Sequence, residues 1–515
     1  MKKNRLLKGV LISLALLIVL LWAGGLFLNN YIESRLLSQE IYGYKTDSVE
    51  VNVNLFKLSI TLNNILLNAD SSDSKLRIKK FRVGGLNPFK IFFNDEISTS
   101  NISIEGIDVF FQPSAHTKLQ KKGTSKSKKD FKIFTQNLSV DVDSFVWLDS
   151  NSTVSDTLLY VEARFSGTKL AWDQGSNDTA FPVTYHSLIL TVPYARLAVS
   201  DSLYYLDFFN LELNTEDSVI SMQLVKLGTN YERYEIGNVT GLQRDWLDLS
   251  WDGINIYPVN FPKALSDTAL IAGAVRIERF EARAFKDRRR TFPDKPDTKL
   301  PDALMRSIPV GLGIDSLVIQ SGYVEYAERV EGSSAEGLVT FNNLKATLVN
   351  IGNKARYLKA PTRLTASAMF MDKAYLNASF DLPNPAFKKK YKVIGALHEM
   401  PLKSLNNILQ QSAGAEVVTG NLERLDFNFI YNNDVSDGEL AFQYTDLKVK
   451  LINKSDQSEK KILSAIVNRL VVPTNNIAAN DDFKKGEIHF ERDKKKSIFN
   501  FWWKSILSGI KSTML

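Results

Sequence analysis

Apolar and polar residues alternate along most of this chain with a period of two. Val49, Val51, Val53 and Leu55, then Leu58, Ile60 and Leu62, are separated by Glu50, Asn52, Asn54, Ser59 and Thr61, with one break at Phe56-Lys57. Successive side chains on a strand point to opposite faces, so this spacing predicts strands with one apolar and one polar face. The same alternation recurs at 102–111, 138–147, 158–165, 188–199, 203–213, 219–227 and 275–285, which predicts a long antiparallel sheet. Apart from 400–411 and 461–472, few segments read as helical. A loose unit repeats: apolar-x-apolar, a short polar step, then apolar-x-apolar ending in an aromatic. Its copies are ISIEGIDVFF at Ile102, LSVDVDSFVW at Leu138, VRIERFEARAF at Val275 and IDSLVIQSGYVEY at Ile314. Their irregular spacing excludes a fixed-period solenoid; the copies read either as ordinary strands of any β-protein or as one sheet extended strand by strand.

The two ends depart from period two. Residues 9–28 form an almost uninterrupted apolar run of about 20 residues, enough at 1.5 Å per residue to cross a hydrocarbon core of about 30 Å. Lys2, Lys3, Arg5 and Lys8 precede it, while Glu33 and Arg35 balance on the other side. The positive-inside bias then holds the N-terminus in the cytoplasm and exports the rest. A cleaved signal peptide would have a shorter apolar region ending in small residues. Ala23-Gly24-Gly25 instead lies inside the run, which continues through Leu26, Phe27 and Leu28. At the other end, Phe499, Trp503, Ile506, Leu507, Ile510 and Met514 fall three to four residues apart, and Arg492, Lys494, Lys495 and Lys496 lead into them. That predicts an amphipathic helix over 497–515, too polar to span. Two roles stay open for it: a membrane contact through Trp503, Ile506, Leu507, Ile510 and the three lysines, or a cap on the open end of the sheet.

Composition narrows the classes. With 515 residues, 44% apolar and 23% charged, the chain is foldable and not disordered. A net charge of +7 with much of it in local runs gives no support to nucleic-acid binding. The absence of cysteine removes thiol catalysis, zinc–thiolate sites and disulfides. Residues 116–132 are a lysine-rich, solvated stretch, read as a hairpin tip or an anionic-lipid contact. Residues 286–302 carry Arg288, Arg289, Arg290 and several prolines, which stop strand and helix alike. The expected organisation is a cytoplasmic tail at 1–8, a transmembrane helix at 9–28, a β region at 29–285, the Pro/Arg-rich loop at 286–302, a second β region at 303–496 and the amphipathic helix at 497–515.

The second β region carries a recognisable order of segments. GIDSLVIQSGYVEYAERV at Gly313 is followed by GLVTFNNLKATLVNI, LTASAMF, KAYLNASFDL, the helical MPLKSLNNILQQSAG, and TGNLERLDFNFIYNNDVSDGELAFQYTDLKVKLIN. This resembles the C-terminal region of the AsmA-like family, in which a strand with G-x-V-x-Y precedes a short strand, a helix across the sheet and a strand pair ending G-x-L-x-x-x-Y-x-D-L. The matching residues are Gly322, Val324 and Tyr326, then Gly438, Leu440, Tyr444, Asp446 and Leu447. The likeness is strongest over 313–453 and extends to the apolar start and residues 49–68. It implies an inner-membrane-anchored periplasmic protein of a Gram-negative bacterium, whose curved β-groove shields the acyl chains of phospholipid. The chain is shorter than the large members of that family, so reach across the periplasm is not implied.

Independently of the resemblance, a sheet that alternates so cleanly must cover its apolar face with a second sheet, helices or a ligand, and few helical segments are at hand. A self-closed β-sandwich is the alternative that needs no ligand. Candidate groove residues are Val49, Val51, Val53, Leu58, Ile60 and Leu62. Active-site chemistry has no support. His116, His186, His398 and His489 are isolated, no nucleotide-binding or nucleophile motif occurs, and Asp141, Asp143, Asp481 and Asp482 lie in ordinary strand or turn contexts. No catalytic residue, cofactor or metal is expected. The expected partners are phospholipid, the inner membrane through the N-terminal helix and the outer membrane through the C-terminal one. The expected function is lipid holding or transfer in support of outer-membrane lipid homeostasis, the alternative a scaffold that adds strands to outer-membrane client proteins.

Overall fold

The computed structural model describes residues 2–41, 43–69, 72–94, 96–113, 132–149, 157–173, 183–199, 202–383, 390–460 and 473–514. The helix expected at 461–472 and nearly all of the lysine-rich stretch lie outside them. The chain divides into two units, 1–223 and 224–515, so the Pro/Arg-rich loop lies inside the second. Strand is the dominant element in both, and the sheets are open and curved.

In the first unit a helix, Lys2–Ser38, precedes β1 (Glu40–Ile41), β2 (Tyr44–Asn54), β3 (Ser59–Ala69), β4 (Lys75–Gly84), β5 (Glu96–Phe111), β6 (Lys132–Leu148), β7 (Thr157–Asp173), β8 (Val183–Thr184), β9 (Ser187–Val199) and β10 (Tyr204–Asn214). β1 to β7 pair in chain order, followed by β9 and β10, with β8 beside the end of β7. β11 (Val219–Gly228) straddles the division.

The second unit contains β12 (Asp245–Val259), β13 (Ala269–Asp287), β14 (Gly311–Arg329), β15 (Gly337–Gly352), β16 (Thr362–Phe370), β17 (Ala374–Leu382), β18 (Tyr391–Leu397), β19 (Met400–Pro401), β20 (Ala415–Tyr431), β21 (Val435–Leu451) and β22 (Gly486–Glu491). They pair in order, with β19 a short extension against β20. A final helix, Ile498–Met514, follows.

The sheets are mixed and not antiparallel throughout, which corrects the expectation. β5 pairs parallel with β6, and β13 with β14. A parallel pair requires a long connection between its strands, and 20 residues, 112–131, separate β5 from β6 and 23, 288–310, separate β13 from β14. The four copies of the repeated sequence unit are the four strands of these two pairs. The unit therefore marks strands on either side of a crossover.

The curvature has a local cause. Non-glycine residues at positive φ interrupt several strands: Asn64 in β3, Asn210 in β10, Asn343 and Asn350 in β15 and Asp446 in β21, with Gly106 in β5 and Gly253 in β12. Asparagine, aspartate and glycine tolerate this left-handed region best. Register shifts accompany Gly106, between Ile104 and Ile107, and Asn343, between Asn342 and Lys345. These are β-bulges, which bend a strand and increase its twist. The polar step of ISIEGIDVFF is one of them.

The segment expected to be helical at 400–411 opens as the strand β19 and continues as short 3-10, α and π turns over 402–413, ending at Gly414 with φ 65°. Asn406 ties it to β20: its Oδ1 accepts from the Val417 N–H at 2.8 Å and its Nδ2 donates to the Val417 carbonyl at 3.0 Å.

Burial is distributed unevenly. Among the described residues of the first unit, only Val49, Val51, Ile65, Leu148, Leu188 and Val192 are buried apolar side chains. The second unit holds a large core in β17, β18, β20, β21 and β22 under the C-terminal helix, including Val393, Phe427, Phe429, Tyr431, Leu440, Tyr444, Ile488 and Phe501. No described helix is long and apolar enough to cross a membrane. The side chains of residues 1–18 lie outside the described ones, so the transmembrane reading of residues 9–28 falls largely on them.

Candidate lipid-binding groove

Residues directly opposite each other on neighbouring strands share a face, so the register shows what each face presents. In the first unit Val51 faces Leu62, Leu62 faces Phe81, Phe81 faces Ile104, Ile104 faces Val140, Val140 faces Phe165, Phe165 faces Leu190 and Leu190 faces Leu213. One apolar row thus crosses eight consecutive strands without a polar member. A second runs Val53, Ile60, Val83, Ile102, Leu138, Gly167, Leu188, and a third Leu67, Leu76, Val109, Phe145, Val161, Ala195, Phe208. Positions adjacent to the first row are polar except Ile189: Asn63 faces Lys80, Lys80 faces Glu105, and Asp141 faces Arg164. Lys80 and Glu105 pair at 3.5 Å there.

Among the described residues the first row is covered at its start. Ile32 and Leu36 of the N-terminal helix pack on the cluster of Val49, Val51 and Ile65, and the Asn29 side chain accepts from the Val53 N–H at 2.6 Å. From Leu62 to Leu213 every member is only half-buried. The unit therefore presents a single-layered apolar surface.

The second unit repeats the arrangement and then closes it. Ile256, Val275, Leu317, Leu348, Leu364, Phe380, Val393, Phe429, Gly438 and Ile488 form one row from β12 to β22. Leu317, Leu348 and Leu364 are half-buried, whereas Val393, Phe429 and Ile488 lie beneath other side chains. The C-terminal helix does the covering. Trp502 stacks on Phe380 with ring centroids 4.4 Å apart, and the Ser505 and Ser436 hydroxyls meet at 2.7 Å. The helix comes so close that a Cβ on Gly509 would lie 2.8 Å from Ile488 Cγ1 and one on Gly486 2.1 Å from the Gly509 carbonyl.

The candidate residues fall in different places. Val51 and Leu62 belong to the first row and Val53 and Ile60 to the second, while Val49 is buried under the N-terminal helix. Leu58 lies in the β2–β3 turn at φ 47° and is 42% exposed, away from either row. Ile506 and Ile510 pack partly on the core, Leu507 is half-buried, and Trp503 is 53% exposed. Lys494 pairs with Asp434 at 2.7 Å, Lys495 with Asp294 at 3.2 Å, and Lys496 Nζ lies 3.6 Å from the Phe292 ring centroid. Burial and neighbouring cations lower the Lys496 pKa. Sequence reasoning missed the greater part of the rows, because alternation marks each strand but not its partner's register.

Of the residues that carry the resemblance, Gly438, Leu440 and Tyr444 serve the core, whereas Asp446 is exposed. A Cβ on Gly438 would lie 2.3 Å from the Asn428 carbonyl, Leu440 and Tyr444 are fully buried, and the Tyr444 hydroxyl donates to the Pro473 carbonyl at 3.2 Å. The Tyr326 hydroxyl donates to Glu328 at 2.8 Å, and burial with that carboxylate alongside raises its pKa. Glu328 also accepts from Ser412 at 2.6 Å and pairs with Arg288 at 3.2 Å. Burial alone would raise its pKa; these partners hold it below the ordinary value.

Neither a family model, nor a curated protein, nor a solved structure matches this chain. Among the described residues no group of His, Asp or Glu is arranged to hold a metal ion.

Proposed function

We propose that this is an AsmA-like, membrane-anchored protein that holds or transfers phospholipid along an apolar β-groove and so supports outer-membrane lipid homeostasis. The observation that carries the reading is the unbroken apolar row from Val51 to Leu213, half-buried from its second member onward. Covering an acyl chain is worth about 0.8 kcal/mol per methylene relative to water, but little relative to a bilayer, whose interior is equally apolar. A groove of this kind suits carriage and exchange more than tight retention.

The anchor is the run at 9–28, with Lys2, Lys3, Arg5 and Lys8 keeping its start in the cytoplasm and the bulk of the chain in the periplasm. Val19, Leu20, Trp22 and Phe27 of that run are exposed, which supports a lipid environment for them. Mass spectrometry of organic extracts from the gently solubilised full chain tests the reading. Co-purifying phospholipid, below one lipid per chain where exchange is fast, is expected, and lipid-free protein carrying bound client protein instead would favour the scaffold.

A further inference from the structure

We propose that the end of the first unit bearing the β2–β3 turn and the short helix Pro88–Asn94 docks on a phospholipid bilayer, seating Phe56, Leu58, Phe89 and Phe93 at its headgroup boundary. The inference rests on the anchor reading above and adds to it a second, peripheral contact. Phe89 and Phe93, four residues apart on that helix, are 74% and 81% exposed, and their rings stack at 6.5 Å. Phe56 and Leu58 in the turn are 56% and 42% exposed. The two segments are joined, since the Leu86 N–H donates to the Leu58 carbonyl at 3.0 Å. Four large apolar side chains therefore project from one place with nothing of the described chain over them.

What identifies the occupant is the N-terminal helix at the same place. A Cβ on Gly25 would lie 3.1 Å from the Val53 carbonyl and one on Gly24 3.3 Å from Leu55 Cδ1, so the helix passes the turn at those residues. Ile32 and Leu36 pack further along the sheet, which sends the preceding residues out beyond the turn. From Gly24 back to Gly9 the rise is about 22 Å of helix, all within the apolar run. If that run enters a bilayer, the turn and the short helix meet its surface. The exposed Lys57 flanks the aromatic side chains there, suiting an anionic headgroup layer, while Lys90 is already paired with Glu96 at 2.8 Å.

The chain has no cysteine, so single introduced cysteines can carry an environment-sensitive fluorophore. The full chain would be placed in nanodiscs of phosphatidylethanolamine and phosphatidylglycerol, with Phe93→Cys as the probe, Trp22→Cys as the anchor reference and Tyr375→Cys, in the second unit, as the exposed reference. A blue shift for Phe93→Cys and at least twofold quenching by lipid spin-labelled near the headgroup are expected. If Trp22→Cys is quenched while Phe93→Cys behaves like Tyr375→Cys, docking is overturned and the anchor stands. If neither is quenched, the anchor reading falls and docking with it. A blue shift that follows protein concentration and not lipid would assign the side chains to a second copy and overturn the proposal. Lipid extracted from the same samples reports separately on the groove.

Discussion

Val51 and Val140 belong to one apolar row, yet a charge at each should have different consequences. Val51 lies under Ile32 and Leu36, so Val51→Asp buries an unpaired carboxylate at a cost of several kcal/mol, and a clear loss of stability is expected in denaturant titration. Val140 is half-buried. Its replacement by Asp leaves the charge hydrated, should cost on the order of 1 kcal/mol through strand propensity, and should remove most co-purifying lipid. Ser139→Asp, one position along on the opposite face, should leave lipid unchanged. Equal lipid loss from both variants would contradict a one-sided groove. A second residue-scale expectation concerns Asp287, which is 4% exposed and bound by Arg289 through two contacts of 2.8 Å. Burial pushes its pKa up, but the Arg289 hydrogen bonds and the charges of Arg289 and Arg290 leave it below the ordinary value of 3.8. A depressed carboxylate stabilises the fold above its unfolded pKa and loses that contribution as pH falls through its folded one. Asp287→Asn should therefore be destabilising near neutral pH, with the gap to the parent chain narrowing below about pH 4, as read by thermal unfolding across pH.

At the scale of elements, the C-terminal helix sets two adjacent tryptophans against each other. Trp502 is 5% exposed and stacked on Phe380, whereas Trp503 is 53% exposed. Trp502→Ala should cost about 3–5 kcal/mol by leaving a cavity over the sheet; Trp503→Ala should stay within about 0.5 kcal/mol. If Trp503 also touches a membrane, its variant should bind anionic vesicles less well while unfolding normally. Equal destabilisation by both would mean the helix is seated differently. The helix itself was legible in its spacing, and so was its ambiguity, because Phe501 and Trp502 on one side and Phe499 and Trp503 on the other are equally apolar in composition. What decides the seating is Gly509 and Gly486, whose missing side chains let helix and strand backbones approach. The strands were legible too, since period two marks each one. Their pairing was not: ISIEGIDVFF and LSVDVDSFVW read alike whether parallel or antiparallel, and only the crossover between them makes β5 and β6 run the same way. The bulge at Gly106 was visible as a polar step, without its backbone geometry.

For the whole molecule, the two units offer the same surface under different cover, and that difference can be read by cross-linking. In the first unit the row stays half-buried through Phe165 and Leu190; in the second, Leu348 and Leu364 are half-buried and Phe429 is buried beneath the helix-capped core. A photo-reactive residue captures whatever lies within a few ångströms of it. Placed at Phe165, Leu190, Leu348 or Leu364 in the full chain in living cells, it should yield a lipid adduct if the lipid reading holds. At Phe429 it should yield only cross-links within the chain, and at Ser166 or Arg363, which are exposed, neither. On the lipid reading an acyl chain would follow an apolar row, each methylene kept from water contributing about 0.8 kcal/mol, so capture should follow the register: row members react and their neighbours along the strand do not. Capture at Phe165 and Leu190 alone would confine the lipid site to the first unit and leave the second as a packed domain. Protein adducts at the row positions in place of lipid would mean that the apolar face serves a client chain, and the lipid reading would be abandoned.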